Sequence, residues 1–445
     1  MKKIFPAAFA ALLLCQTAPA QKQDITKTGL NFGPLPAVAF DADKGFQVGA
    51  ILQIFDYGDG HNYPNYDSKL YLEASFYTKG SQLYQIRYDN KELIPGVRWC
   101  SILRASLDKA YDFYGFNGYE SFYDYAAIDL GKDKNSPAPI FTPYYRMARN
   151  EVMFKSDFLG TINPNLQWEA GVFAYYHGIS SIDYGSINKG KDESKKFTGA
   201  TLFDVYKMMG AISADEADGG FSSGVRLGMV YDTRDKEGAP SSGIWAEGHV
   251  SAALPGISKI PYYRYSFTWR HYLPLVGNDV LTFAYRLNYE GTFGSSAPFY
   301  ALPYMTVMGE KQDYEGMGGY NSVRGIMRSR VVGLDMATYN AELRWRFTKF
   351  ALGNQNIALG LSAFSDGTVV TRGRDLGALR YIPELCRQEK DTPHIAVGAG
   401  FRFIMNENFI VAFEYGTPVT HFMKNSPLYN QDGTGAFYIN LGYLF

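Results

Sequence analysis

Three shortages shape the reading of this chain. After residue 20 no apolar run approaches the ~18 residues that a membrane-crossing helix needs, so helical spanning is excluded. Cysteine is scarce, with 3 in 445 residues, so no disulfide framework holds the fold. Charge of either sign is not in excess: 43 Lys+Arg against 44 Asp+Glu leave a formal net charge of −1. A nucleic-acid binder would carry a basic excess, and none is expected here. No Pro/Ser-rich linker or charge block divides the chain. What is abundant is aromatic and glycine: 35 Tyr, 31 Phe and 46 Gly.

The N-terminus reads as an export signal. Lys2 and Lys3 form a basic start, Ile4 to Cys15 an apolar run, and Ala18-Pro19-Ala20 a small-residue cleavage site. Cleavage after Ala20 is expected. Lipidation at Cys15 is not, because Leu14 stands where a small residue should precede the cysteine. Cys100 and Cys386 remain in the exported chain. Spacing cannot show whether they pair, and two unpaired thiols are the preferred reading.

The main signal is alternation. In "YNAELRWRF", Tyr339, Ala341, Leu343, Trp345 and Phe347 share one face, and Asn340, Glu342, Arg344 and Arg346 the other. In "NIALGLSAFSDG", Ile357, Leu359, Leu361 and Ala363 lie opposite Ala358, Gly360, Ser362, Phe364 and Asp366. Period-two patterning marks β-strands with one apolar and one polar face. A soluble sandwich or propeller would show the same period. The strands here are long, often 11–14 residues, where soluble strands average about 5–6. Tilted strands crossing a bilayer need about 9–11. Short connections such as Val276-Gly277-Asn278 alternate with long ones such as 292–335 and 367–392, and Tyr and Phe crowd the strand ends. The sequence closes on "GAFYINLGYLF", where Phe437, Ile439, Leu441, Tyr443 and Phe445 alternate to the last position and are expected to face lipid.

In lipid every backbone N–H and C=O needs a partner, so the strands must close. The expected architecture is an all-β transmembrane antiparallel barrel of about sixteen strands. The strands are placed near 44–56, 68–79, 81–91, 96–107, 119–130, 143–159, 165–178, 222–234, 242–254, 261–273, 279–291, 336–349, 356–366, 393–404, 408–417 and 435–445. The domain plan is a signal over 1–20, a short periplasmic segment over 21–43 and the barrel over 44–445. A helix is expected over 201–212, in an outward loop spanning 179–221.

Within this plan "GGYNSVRGIMRSRVVG" (318–333) falls in the outward loop between the eleventh and twelfth strands. It resembles the sixth-loop motif of the BamA/TamA-type outer-membrane assembly superfamily, whose core is Val-Arg-Gly followed by a bulky residue. "YDTRDKEGAPSSGIWAEG" (231–248) is similar to the same family's turn between strands eight and nine. "FSDGTV" (364–369) is similar to its Phe-x-Asp-x-Gly element, with the glycine directly after the aspartate here. "AELRWRF" matches its Glu-Leu-Arg strand, and "GPLPAVAFDADKGFQVGA" agrees with its N-terminal half. Motif order and spacing agree over roughly 222–445.

The resemblance implies that the sixth loop folds back into the barrel. Val323, Arg324 and Gly325 carry the motif, and Arg324 is expected to meet Glu342 and Asp366, with Phe364 beside them. A guanidinium forks onto carboxylates as a lysine cannot. Gly325 is expected to permit a close backbone approach, and Gly318 and Gly319 the sharp entry of the loop. Ile326 stands where the family often has an aromatic. Arg328 and Arg330 are expected to be solvated charges.

The resemblance also implies a function: a seam between the first and last strands that opens so that client proteins or lipids pass. Here the seam would join 44–56 to 435–445, with Gly442 weakening its edge. Residues 21–43 are too short for a POTRA domain, so either a separate periplasmic protein takes that role or the barrel has another job. Expected partners are outer-membrane lipid and client outer-membrane proteins, in the outer membrane of a Gram-negative bacterium. The alternative is a passive or structural barrel, such as a plugged pore or surface antigen. An enzyme is not expected, and no cofactor or metal is called for. The 6 histidines are scattered, and Glu247, His249 and Ser251 read as polar lumen residues.

Overall fold

The computed structural model describes residues 26–445 apart from 42–44, 64, 79, 131–141, 194–195, 278, 312, 354, 388 and 408. The expected signal over 1–20 lies outside the described residues. One 16-stranded antiparallel sheet forms the wall of a transmembrane β-barrel. Its strands are β1 (Leu30–Asp41), β2 (Gly45–Asp56), β3 (Ser68–Tyr77), β4 (Gln82–Ile94), β5 (Val97–Asp112), β6 (Arg146–Asn163), β7 (Leu166–Ser180) and β8 (Gly219–Asp232). The wall continues with β9 (Gly243–Ala253), β10 (Tyr262–Val276), β11 (Leu281–Phe293), β12 (Asp335–Leu352), β13 (Gln355–Arg372), β14 (His394–Met405), β15 (Phe409–Pro418) and β16 (Ala436–Leu441). Each pairs with its sequence neighbour, and β1 comes to lie beside β16.

Burial shows that the wall is turned inside out relative to a soluble protein. Leu103, Phe154, Leu227, Phe267, Leu287 and Trp345 stay exposed, while Arg149, Arg226, Arg286, Arg324, Arg330 and Arg402 are among the largest fully buried side chains. Apolar side chains face the hydrocarbon and polar ones the lumen, as a bilayer demands. Among the described residues no helix is long and apolar enough to cross a membrane.

Two strand assignments change. The segment 119–130 is not a strand. Gly118–Glu120 is a 3-10 turn and Tyr125–Leu130 an α-helix, within the long loop after β5. Its aromatics serve the loops: the Tyr119 ring stacks on His394 at 3.7 Å. In its place the barrel gains β1, from the segment expected to precede the wall. The wall's first strand therefore begins at Leu30, not near residue 44, and β2 takes the place of the expected first strand.

The long connections (113–145, 181–218, 294–334, 373–393 and 419–435) gather at one end of the barrel. Aromatics from three of them, with aliphatic residues of 373–393, form a dome. Phe113, Phe116, Phe203, Tyr206, Phe299 and Leu376 share one buried cluster there. The expected helix is present as Leu202–Met208, started by a capping box in which Thr201 and Asp204 satisfy each other's backbone N–H. At the other end the turn 233–242 folds across the mouth. Glu237 meets Lys91 at 3.0 Å and Arg98 at 3.4 Å on one side, while Ala239 is buried against Ala358, Ile404 and Ile410 on the other. Cys100 and Cys386 are both free and buried.

Candidate functional site: the pinned loop and the seam

The loop between β11 and β12 enters the lumen on its glycines. Gly318 has φ 120 and Gly319 φ 84, backbone that favours glycine, and a Cβ on Gly318 would stand 2.0 Å from the Met327 carbonyl oxygen. The Ser322 hydroxyl donates to the Gly316 carbonyl (2.7 Å), and Gly319 N–H donates to the Ile326 carbonyl (2.8 Å), which closes the tip on itself.

Arg324 is fully buried at this tip. Its Nε and Nη2 donate to the two oxygens of Asp366 at 2.8 and 3.1 Å, and its backbone N–H reaches the same carboxylate at 3.0 Å. Nη1 donates to Glu414 at 2.6 Å and, at a longer 3.4 Å, to Glu342. The guanidinium lies 3.6 Å from the centroid of the Phe364 ring. Arg402 completes the set, 2.5 Å from Glu342 and 2.8 Å from Glu414, and Arg344 stands 3.4 Å from Glu342. Three carboxylates thus face three guanidiniums inside the wall formed by β12 to β15. Charges of this kind persist without water only where pairing and hydrogen bonds replace it.

Asp366, Glu342 and Phe364 meet Arg324 as the family motif implies. Glu414 was not among the expected partners, although it makes the shorter contact of the two glutamates. A single acid between Phe413 and Tyr415, on the polar face of β15, was the available signal. Gly325, at φ 91, is pressed against β15: a Cβ there would lie 2.7 Å from Thr417 N and 2.8 Å from Gly416 C. Its N–H donates to the Tyr438 hydroxyl of β16 at 3.0 Å. Val323 and Ile326 are buried together against Ala396.

Arg328 and Arg330 are not solvated charges. Arg328 donates to Asp112 at 2.8 Å, and Arg330 is 1% exposed, with hydrogen bonds to the carbonyls of Gln431, Gly118 and Ser121. They fasten the loop to its neighbours in the dome. Upstream, the same loop is fixed to the wall. Arg226 pairs with Asp313 (2.5 Å), Lys155 donates to the Val307 carbonyl (2.7 Å), and the Met308 N–H donates to Glu247 (3.0 Å). His249, 2.8 Å from Glu247 and 3.2 Å from the Thr306 hydroxyl, belongs to this anchoring.

The closing strand departs from expectation at its end. Phe437 is exposed on the outer face, and Ile439 is half-buried on the same side. Leu441 is the last strand residue, because Gly442 takes φ 90 and turns the chain. Tyr443 and Phe445 therefore do not face lipid. The Tyr443 ring lies 4.1 Å from the Arg344 guanidinium and 4.7 Å from that of Arg402. Phe445 is 2% exposed, packed with Tyr272 and Ala284 under Arg344 and Arg286, and its carbonyl accepts from Arg344 at 3.1 Å. Alternation continues through this segment in the sequence, but the lumen supplies cations as partners for its rings.

Between β16 and β1 no hydrogen-bonded ladder is described. The wall has a seam where the motif-bearing loop touches its last strand.

A sixteen-stranded wall, polar within and apolar without, whose first and last strands lie side by side around a long pinned loop, defines an outer-membrane β-barrel. A family model described as the Omp85 superfamily domain matches residues 121–445, and the chain belongs to that superfamily. Among solved structures, BamA from Haemophilus ducreyi lacking POTRA domains 1–3 is similar over 94% of this chain and 70% of its own, at 15% identity and a TM-score of 0.53. CdiB from Escherichia coli is similar over 95% of this chain, at 9% identity and a TM-score of 0.54, and this chain spans 63% of that one. At such identities the likeness concerns the fold. A search of curated proteins gave no match.

Proposed function

We propose that this barrel is an insertase or translocase in the outer membrane of a Gram-negative bacterium, passing client protein strands or lipids through the seam between β1 and β16. The observation that carries the reading is the contrast between bore and wall. The bore holds the pinned loop and the residues after Gly442, with the dome at one end and the turn 233–242 at the other. The wall, by contrast, has one joint without a ladder. Transport along the axis would require breaking the ion pairs of Arg324, whereas transport at the seam requires parting two strands. Gly325 and the Glu414–Asn440 hydrogen bond (3.1 Å) connect the loop to β16, so the pinned loop steadies one edge of the joint.

We read the chain as a non-enzyme. Glu247 and His249, the residues closest to a catalytic pattern, are engaged in holding the loop. Depletion is expected to lower the amounts of other outer-membrane proteins or lipids, measured by quantitative analysis of isolated outer membranes; unchanged composition rejects the proposal. The second reading, a passive plugged barrel or surface antigen, draws on the aromatic dome, which covers the outward face. Planar-bilayer recording separates the two: steady conductance independent of any client favours the passive barrel.

A further inference from the structure

At the outward end of the barrel one histidine joins several loops. His394, the first residue of β14, is fully buried, and both of its ring nitrogens face carboxylates. Nδ1 lies 2.6 Å from Asp432 and Nε2 3.0 Å from Asp391. Both acids act as acceptors throughout. Asp391 accepts the backbone N–H groups of Tyr119 and Val370, each at 2.8 Å. Asp432 accepts the Tyr119 hydroxyl and, at 3.4 Å, that of Thr420. Gly118, at φ 58, lets Asp391 approach: a Cβ there would stand 2.3 Å from its Oδ1. The Tyr119 ring covers the imidazole, Arg330 Nε stands 4.0 Å behind Asp432, and β13 sets the uncharged Thr368 opposite His394. A neutral imidazole donates from one nitrogen only, so two acceptors need the doubly protonated ring. The charges then balance, Asp391 and Asp432 against His394 and Arg330.

We propose that His394 is a proton-operated clamp on the dome: the imidazolium ties the loops 113–145, 373–393 and 419–435 together, and loss of one ring proton to water frees 373–393. The shorter bond, to Asp432, keeps the proton that remains. Nε2 then turns a lone pair toward Asp391, and a buried acceptor that faces an acceptor loses its bond and its solvation together. Asp391 carries the release further, because it also holds the Tyr119 and Val370 N–H groups. The other side stays anchored. The Met327 N–H donates to the Asp432 carbonyl at 3.1 Å and Arg330 to that of Gln431 at 2.8 Å, so 419–435 remains on the inserted loop. Below about pH 6.5 even a free histidine is charged, and the clamp is complete there. The clamped state binds one proton more than the released one, so it weakens as the pH rises. The clamp acts on the outward cap and does not depend on the passage at the seam.

Cys386, free and 2% exposed on the loop 373–393, reports the release, and Cys100, free and buried in β5, is the control. The full chain in lipid vesicles is treated with a small water-soluble thiol reagent, and each labelling rate is divided by that of the unfolded chain at the same pH. Between about pH 6 and about pH 9, below the tyrosine range, Cys386 labelling is expected to rise about tenfold while Cys100 stays flat. Asp432→Asn can donate its amide N–H to a neutral ring, so this variant is expected to keep Cys386 protected across the window. His394→Gln brings a neutral amide in place of the cation and is expected to label fast at every pH. A parent whose Cys386 labels at a constant rate overturns the clamp. So does an Asp432→Asn variant that follows the parent, or a His394→Gln variant protected like the parent at about pH 6. A parallel rise at Cys100 also overturns it, because the whole barrel would then be loosening.

Discussion

The wall from β12 to β15 and the wall from β1 to β4 are built from the same alternating strands and behave as opposites. On the first, the lumen face carries Glu342, Arg344, Asp366, Arg402 and Glu414, and the inserted loop binds into them through Arg324. On the second, Leu35, Ala37, Ile51 and Tyr71 form a small apolar cluster. The polar residues nearby satisfy one another: Gln47 donates to Glu73 and Ser75 at 3.0 and 2.8 Å, and Tyr71 donates to Glu73 at 2.6 Å. One side is cross-linked by buried charge; on the other the polar residues of β2 and β3 pair with one another, and only at the end of the wall do Lys69 and Lys91 reach out to Glu310 and Glu237. A strand whose polar groups are already satisfied can move without exposing an unpaired ion, so the proposed passage would have its mobile edge on the β1 side.

Substitutions can break that contrast. The largest effect is expected from Arg324→Ala, which strands Asp366, leaves Glu342 and Glu414 to Arg402, and costs about 3–5 kcal/mol. Limited proteolysis should then cut within 292–335, and the temperature at which the folded band is lost on gels should fall. Arg324→Lys should recover only part, because an ammonium cannot fork onto Asp366 while also reaching Glu414. Glu414→Gln removes one charge but keeps an acceptor, and should cost about 2 kcal/mol by the same melting measurement.

A milder effect concerns pH. Partial burial pushes the Glu237 carboxyl up, but Arg98, Lys91 and Arg234 outweigh it and hold its pKa at about 2. A depressed carboxylate pKa stabilises the folded state above the ordinary value near 4.5. That contribution is lost as pH falls from there toward 2. Protease sensitivity of the turn 233–242 should rise across that window in the parent and stay flat in Glu237→Gln. The smallest effect is expected where polar residues of β2 and β3 pair with one another: Glu73→Gln should shift the melting temperature little, by the equivalent of about 0.5 kcal/mol or less. A loss as large as that of Glu414→Gln would erase the distinction between the two walls.

Most of the barrel was legible because a bilayer enforces period two on both faces at once. In β12 and β13 every lumen-facing charge could be counted from the sequence, and Glu342 and Asp366 fell where the loop motif needs them. The strand that escaped is β1, and its prolines are the reason. Pro34 and Pro36 read as breakers of a regular strand, yet an edge strand whose N–H groups would point at the seam tolerates them. The opposite error, a strand over 119–130, arose from spaced aromatics whose partners are other loops. Tyr119 belongs to His394 and Asp432, which no local pattern shows. Beyond Gly442 the alternation is genuine but uninformative, since an aromatic ring suits lipid and suits the face of a guanidinium equally.

The position of Arg324 along the chain also dictates an order of assembly. Its acidic cage is supplied by β12, β13 and β15, all translated after the loop itself. The tip has nowhere to rest until those strands stand together. Seating of residues 318–333 therefore comes no earlier than the meeting of β12, β13 and β15, whose carboxylates it needs.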